Sequence, residues 1–160
     1  MDQLQRLIDR VELVELMSQY AAGVDLLDRE LYASCFTDPV DIDFGSFDPD
    51  SVKVMTPEEW VGYCWDFVEG LDASQHIITN HRITFNSDDE ATIIAYMHAQ
   101  HYIQEVGGYI AAGYYTNRAV RTDAGWRLAR VRYTLTWESG DRSVFDIGRQ
   151  RPPGTRVRPQ

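Results

Sequence analysis

Apolar residues at Leu4, Leu7, Ile8, Val11, Val14 and Met17 return every three or four positions. That spacing predicts an amphipathic first helix over 4–24, weakened at its end by Gly23. A second short helix is expected over 28–36 with Asp28 as its cap. Thr37-Asp38-Pro39 then reads as a turn, and 40–44 alternates like a strand. Thr56-Pro57-Glu58-Glu59 is a strong helix start: threonine caps, proline takes the first position and Glu59 completes a capping box. That helix should stop at Gly70. Four long strand-like segments follow, at 73–86, 91–105, 109–121 and 126–139, separated by hairpin-turn residues such as Gly107-Gly108. Strands of this length twist and curl, with bulges taking up the strain. The expected class is therefore α+β: a strongly curved sheet, antiparallel or mixed, with helices on its concave face around a pocket.

Composition adds boundaries to this picture. A chain of 160 residues with 44% apolar and 25% charged residues fits one ordinary globular domain. No apolar run approaches the ~18 residues of a membrane helix. The first residues lack a signal peptide's basic and apolar regions, so a cytoplasmic location without membrane partners is expected. The two cysteines, Cys35 and Cys64, sit among apolar and aromatic neighbours and read as buried reduced thiols. Net charge is −10, and four arginines without an acid after residue 148 leave the rest near −14. An acidic body repels phosphate backbones, which argues against nucleic acid. The division is a domain over 1–148 and a basic Pro/Arg tail over 149–160, either disordered or an arm laid on an acidic neighbour.

Four histidines invite a metal site, but the spacing opposes it. His98 and His101 are three apart on a strand and face opposite ways, as do His76 and His81. Ile93, Ala95, Met97, Ala99 and His101 alternate down one face, with small alanines leaving room for a ligand. Tyr96, His98 and Tyr102 form the other, an aromatic outer face suited to a subunit contact in a dimer or trimer. Trp60, Tyr63, Trp65 and Phe67 read first as core; of these, Trp65 is taken as a pocket residue. Arg121, near Asn117, is a candidate for a substrate carbonyl or halide. Phosphate loops, nucleophile elbows and dinucleotide fingerprints are missing.

The element order, Tyr20 five residues before Asp25, Gln75-His76 opening the long strand, and Asp123-Ala124-Gly125-Trp126-Arg127-Leu128 together resemble the SnoaL-like branch of the NTF2-like superfamily. The resemblance covers about 5–140. Residues 42–47, 57–62 and the interval from His76 to His101 are similar to scytalone dehydratases. Residues 113–117 are similar to hexachlorocyclohexane dehydrochlorinases. The chain departs from the dehydratases at Val24 and Phe44, where they carry tyrosines, and at Gly113 and Tyr115, where they carry Ser and Asn. It departs from the dehydrochlorinases at Tyr20, where they carry lysine.

The resemblance implies a cofactor-free lyase or isomerase acting on a hydrophobic cyclic small molecule: a dehydratase, dehydrohalogenase or double-bond isomerase. His76 would be the base and Asp25 its orienter, with His101 or Tyr20 as acid and Phe44, Met97, Tyr115, Asn117 and Arg121 toward the substrate. Ile83 and Phe85 share strand parity with His81, not His76. A bulge between them is expected; without one, His81 is the inward histidine. Tyr20 and Asp25 share a pocket only if the helix loosens near Gly23. The alternatives are a non-catalytic ligand-binding or oligomerisation module, or a structural role like that of a dioxygenase β-subunit.

Overall fold

The computed structural model describes residues 2–152 and 154–156. In chain order the elements are α1 (Gln3–Asp25), α2 (Arg29–Ala33), β1 (Phe36–Asp43), a 3-10 turn (Pro49–Ser51), β2 (Lys53–Met55), α3 (Pro57–Val68), β3 (Ala73–Phe85), β4 (Glu90–Ile103), β5 (Gly107–Thr122), β6 (Gly125–Gly140) and α4 (Val144–Arg149). The six strands form one sheet in the order β2-β1-β6-β5-β4-β3. Every neighbouring pair is antiparallel except β1 and β6, so the sheet is mixed and its edges stay open.

The helix starts follow their capping chemistry. Asp2 accepts from Gln5 N at 2.8 Å to open α1. Thr56 and Glu59 close the expected capping box on α3. Differences from the sequence reading lie where long-range pairing overrides local signals. Thr37-Asp38-Pro39 is not a turn but lies within β1, which starts at Phe36 and borders β6. α2 correspondingly ends at Ala33 rather than reaching residue 36. The short β2 and α4 have little pattern of their own and exist through what they pack against.

α1 departs most. Its periodic stripe is turned to solvent up to Val14, with Leu4, Leu7 and Val11 all at least 60% exposed, and only Met17 of that set is buried. The buried face is instead Asp9, Leu13, Leu16, Met17, Tyr20 and Val24. Burying a large aliphatic side chain is worth about 1.5–3 kcal/mol, and Leu13, Leu16 and Met17 all gain it. Asp9 joins that face because Arg121 Nη2 (2.8 Å) and Trp126 Nε1 (3.2 Å) both donate to it. Gly23 does not end α1. A Cβ there would stand 2.8 Å from the Tyr32 backbone nitrogen, so its role is close packing of α2. Gly70 likewise lets the chain after α3 touch α4: a Cβ there would come within 2.0 Å of the Gly148 carbonyl oxygen.

The bulge expected in β3 is present. Thr79 pairs with Tyr96 and Arg82 with Ile94, so β3 spends one residue more than β4 across that interval. Asn80 takes it up at φ 55°. Ser74, His76 and Ile78 therefore turn inward before the bulge, and His81, Ile83 and Phe85 after it.

The boundary drawn at 148/149 falls inside α4. Beyond it, Arg151 donates to the Gly70 carbonyl (2.8 Å) and to Asp72 (2.7 Å) on the same chain. Residues 153 and 157–160 of the tail lie outside the described residues. Among the described residues, no helix is long and apolar enough to cross a membrane.

Candidate active site

α1 delivers Asp25 at its last turn, directly above the start of β3. Asp25 Oδ1 lies 2.7 Å from His76 Nδ1, and Oδ2 accepts from the His76 backbone nitrogen at 2.6 Å. Ser74, two residues earlier on the same strand face, donates its hydroxyl to Oδ1 at 2.9 Å. Burial alone would raise the Asp25 carboxyl, but His76, by hydrogen bond and charge, and Ser74 outweigh it and hold it below the usual carboxylate value. An ionised Asp25 must accept from Nδ1, which puts the ring proton there and leaves Nε2 as the free lone pair.

That ring forms one wall of a pocket of about 80 Å³ between α1, α3, α4 and the concave face of the sheet. His101, from β4, stands edge-on to His76 with centroids 5.5 Å apart. Burial, and then the neighbouring His76, push its pKa down to about 3. His101 is thus a neutral imidazole, able to share a hydrogen bond but not to store a proton at neutral pH. Its partner face holds to the parity reading, because His98 lies on the opposite side of β4, against Trp137.

Tyr20, Phe44, Met97 and Tyr115 also line the pocket. Tyr20 reaches it although α1 continues to Asp25, since Asp25 approaches from the helix end rather than from the same face. Burial raises the Tyr20 hydroxyl above the ordinary phenol value, so it remains a donor; Tyr115 Oη donates to it at 3.5 Å. Cys64 is on the wall too, but burial pushes its thiol up to about 12, which removes it as a nucleophile.

Three residues expected near substrate lie elsewhere. Arg121 is held by Asp9 and Asp89 and stacks on Trp126, with its guanidinium 4.6 Å from the ring centre. Asn117 is buried in the sheet, where its Oδ1 accepts from Arg132 N at 3.2 Å and its Nδ2 points at Met17. Trp65 faces Tyr32 and lies under Arg29. The pocket face of α3 is Trp60, Tyr63, Cys64 and Phe67 instead. Their three- and four-residue spacing was legible, and it separates Trp65 from the others. Tyr133 on β6 and Phe145 on α4 also line the pocket and carried no signal in the sequence. Trp60 Nε1 and Tyr133 Oη are both buried without a hydrogen-bond partner. Among the described residues no cluster of three or more His, Cys, Asp or Glu side chains could hold a metal ion.

A curved mixed sheet roofed by helices over a His–Asp-bearing pocket defines the class, and comparison with known proteins agrees. The SnoaL-like domain profile matches residues 5–132, and the chain belongs to the SnoaL-like domain family, with the NTF2-like fold. It is similar to the Kfla4162 protein of Kribbella flavida, at 31% identity over 90% of this chain and 99% of that one, with a TM-score of 0.80. A candidate scytalone dehydratase from Novosphingobium aromaticivorans superposes with a TM-score of 0.76 at 20% identity, covering 88% and 92%. The hexachlorocyclohexane dehydrochlorinase LinA-type3 of Novosphingobium barchaimii does so with 0.73 at 20% identity, covering 88% and 95%. At that identity these two show the shared fold. No curated protein matches the chain.

Proposed function

We propose that the protein is a cofactor-independent lyase or isomerase acting on a small, largely apolar ring compound. The observation that carries this reading is the 2.7 Å contact between Asp25 and His76 on the wall of an apolar pocket. The fold shared with a dehydratase and a dehydrochlorinase supports the same class. His76 Nε2 takes a proton from carbon next to a carbonyl or β to a leaving group. The C–H electron pair forms the new double bond, and Asp25 stabilises the imidazolium. In a dehydration the departing hydroxyl takes a proton from Tyr20, or a hydrogen bond from neutral His101. In a dehydrohalogenation the halide leaves with the bond pair. In an isomerisation the proton returns to a different carbon.

The walls suggest the substrate's shape. Phe44, Met97 and Tyr115 pack its ring, while the Trp60 N–H and the Tyr133 O–H are donors awaiting an acceptor. A substrate oxygen fits them, because leaving either unpaired costs about 1–3 kcal/mol. The test is a panel of cyclic β-hydroxy ketones, halides and unconjugated enones, followed by absorbance of the conjugated product. Turnover by the wild type, reduced about 10²–10⁴-fold in His76→Ala, is the expected result. Equal turnover in His76→Ala would remove His76 from the mechanism.

A further inference from the structure

We propose that Arg156, from the C-terminal tail, is a positioning residue that fixes the Asp25–His76 pair by way of Ser74 and the Asp25 carbonyl. The tail reads in sequence as disordered or as an arm laid on an acidic neighbour, yet Arg156 is only 9% exposed. A guanidinium rarely goes that deep without partners that repay its lost hydration. It has two: the hydroxyl of Ser74, which itself bonds the Asp25 carboxylate, and the Asp25 backbone carbonyl. Nη1 lies 3.1 Å from Ser74 Oγ, and Nη2 donates to the Asp25 backbone carbonyl.

The direction of these bonds matters. A guanidinium only donates, so Ser74 Oγ must accept from Arg156 and aim its own proton at Asp25 Oδ1. Oδ1 then takes the Ser74 proton and the His76 Nδ1 proton together, and Oδ2 takes the His76 amide. The carboxylate is left with a single orientation. At the other end, the Asp25 carbonyl belongs to the last turn of α1, where carbonyls lack helical partners. α1 has no basic residue in that turn. Arg156 supplies the missing donor and places a positive charge where the helix dipole favours one. Burial pulls the Arg156 guanidinium below its usual value, and the nearby Asp25 charge offsets part of that loss. Arg151, anchored to Gly70 and Asp72, ties the tail down five residues earlier.

The proposal rests on Asp25–His76 being the working pair, and its test needs no substrate. Ring ¹⁵N–¹H spectra of the full chain report which nitrogen of His76 carries the proton and how fast it exchanges with water; His76→Ala assigns the signals. In the wild type the proton is expected on Nδ1 and slow to exchange. In Arg156→Ala exchange should be about tenfold faster or more, the factor that loss of one hydrogen bond from a charged group carries, with both tautomers populated. Arg156→Lys should fall between them, since one ammonium can replace only one contact. If Arg156→Ala does not fold, Arg156→Gln gives the same comparison. Once a substrate is known, kcat should fall roughly 10–100-fold at little-changed KM. His76 signals and exchange unchanged in Arg156→Ala would overturn the role of Arg156 and leave the dyad standing. A wild-type His76 without a proton on Nδ1 would overturn the dyad and the proposal with it.

Discussion

Asp9 and His101 are the two side chains whose burial says most about how this fold responds to acid. Asp9 is fully buried on the inner face of α1; burial would raise its carboxyl, but Arg121 and Trp126 outweigh it and hold it below the usual carboxylate value. Asp25 is lowered in the same way. A carboxyl with a depressed folded pKa stabilises above its unfolded value and loses that contribution as pH falls through the folded one. Asp9→Asn should therefore cost about 1.5–3 kcal/mol in urea unfolding at pH 7, and progressively less below pH 4. His101 acts at milder pH. It is held neutral down to about 3, while the unfolded ring takes a proton near 6.5. Stability should thus fall as pH drops through that window, and His101→Phe should flatten the fall. Equal pH slopes for wild type and His101→Phe would contradict its burial as a neutral base. Neither residue announced this. Asp9 has no local signal that marks it for burial, and His101 was placed inward by alternation with Met97 and Ala99, which says nothing of its protonation.

At the scale of elements, the bulge in β3 is the device that makes the site possible. Without the extra residue between Thr79 and Arg82, His76 and Ile83 could not both face the helices. Asn80 carries the left-handed conformation that the bulge needs. Asn80→Gly should be neutral, whereas Asn80→Val should destabilise by about 1–2 kcal/mol in chemical denaturation. Equal stability of the two would show that the bulge does not need this backbone shape. This element was legible, because the parity conflict between His76 and Ile83 is written in the sequence. So were the capping box of α3 and the four long strands, all of which depend on local chemistry. The inward face of α1 was not, since its regular stripe of Leu4, Leu7 and Val11 outscores the buried one that includes a polar Asp9. Trp65, Asn117 and Arg121 were misplaced for a related reason. Their positions follow from neighbours distant in sequence: Tyr32 against Trp65, the Arg132 backbone against Asn117, and Asp9 against Arg121.

The whole molecule has two faces to account for, the pocket and the convex side of the sheet. On the convex side Ile77, Tyr96, Tyr102 and Trp137 are each 43–56% exposed, more aromatic surface than an isolated chain normally shows to water. We propose that this face pairs with another copy. Sedimentation at micromolar concentration should give a dimer or trimer, and Tyr96→Lys with Trp137→Glu should return it to the 18.4 kDa monomer. A wild-type monomer would contradict the proposal. Inside, the same curvature brings the end of α1, the start of β3 and the second half of β4 around one small apolar space, and the tail returns to Ser74 and the Asp25 carbonyl through Arg156. The central claim is that His76 in this space removes a proton from carbon. The most direct measurement is deuterium uptake from D₂O into cyclic ketones, followed by proton NMR, because dehydration, dehydrohalogenation and isomerisation share that first step. The account expects enzyme-dependent exchange at the acidic carbon, slowed about 10²–10⁴-fold in His76→Ala and less in Asp25→Asn, where imidazole keeps its lone pair. Exchange at the same rate in wild type and His76→Ala would contradict it.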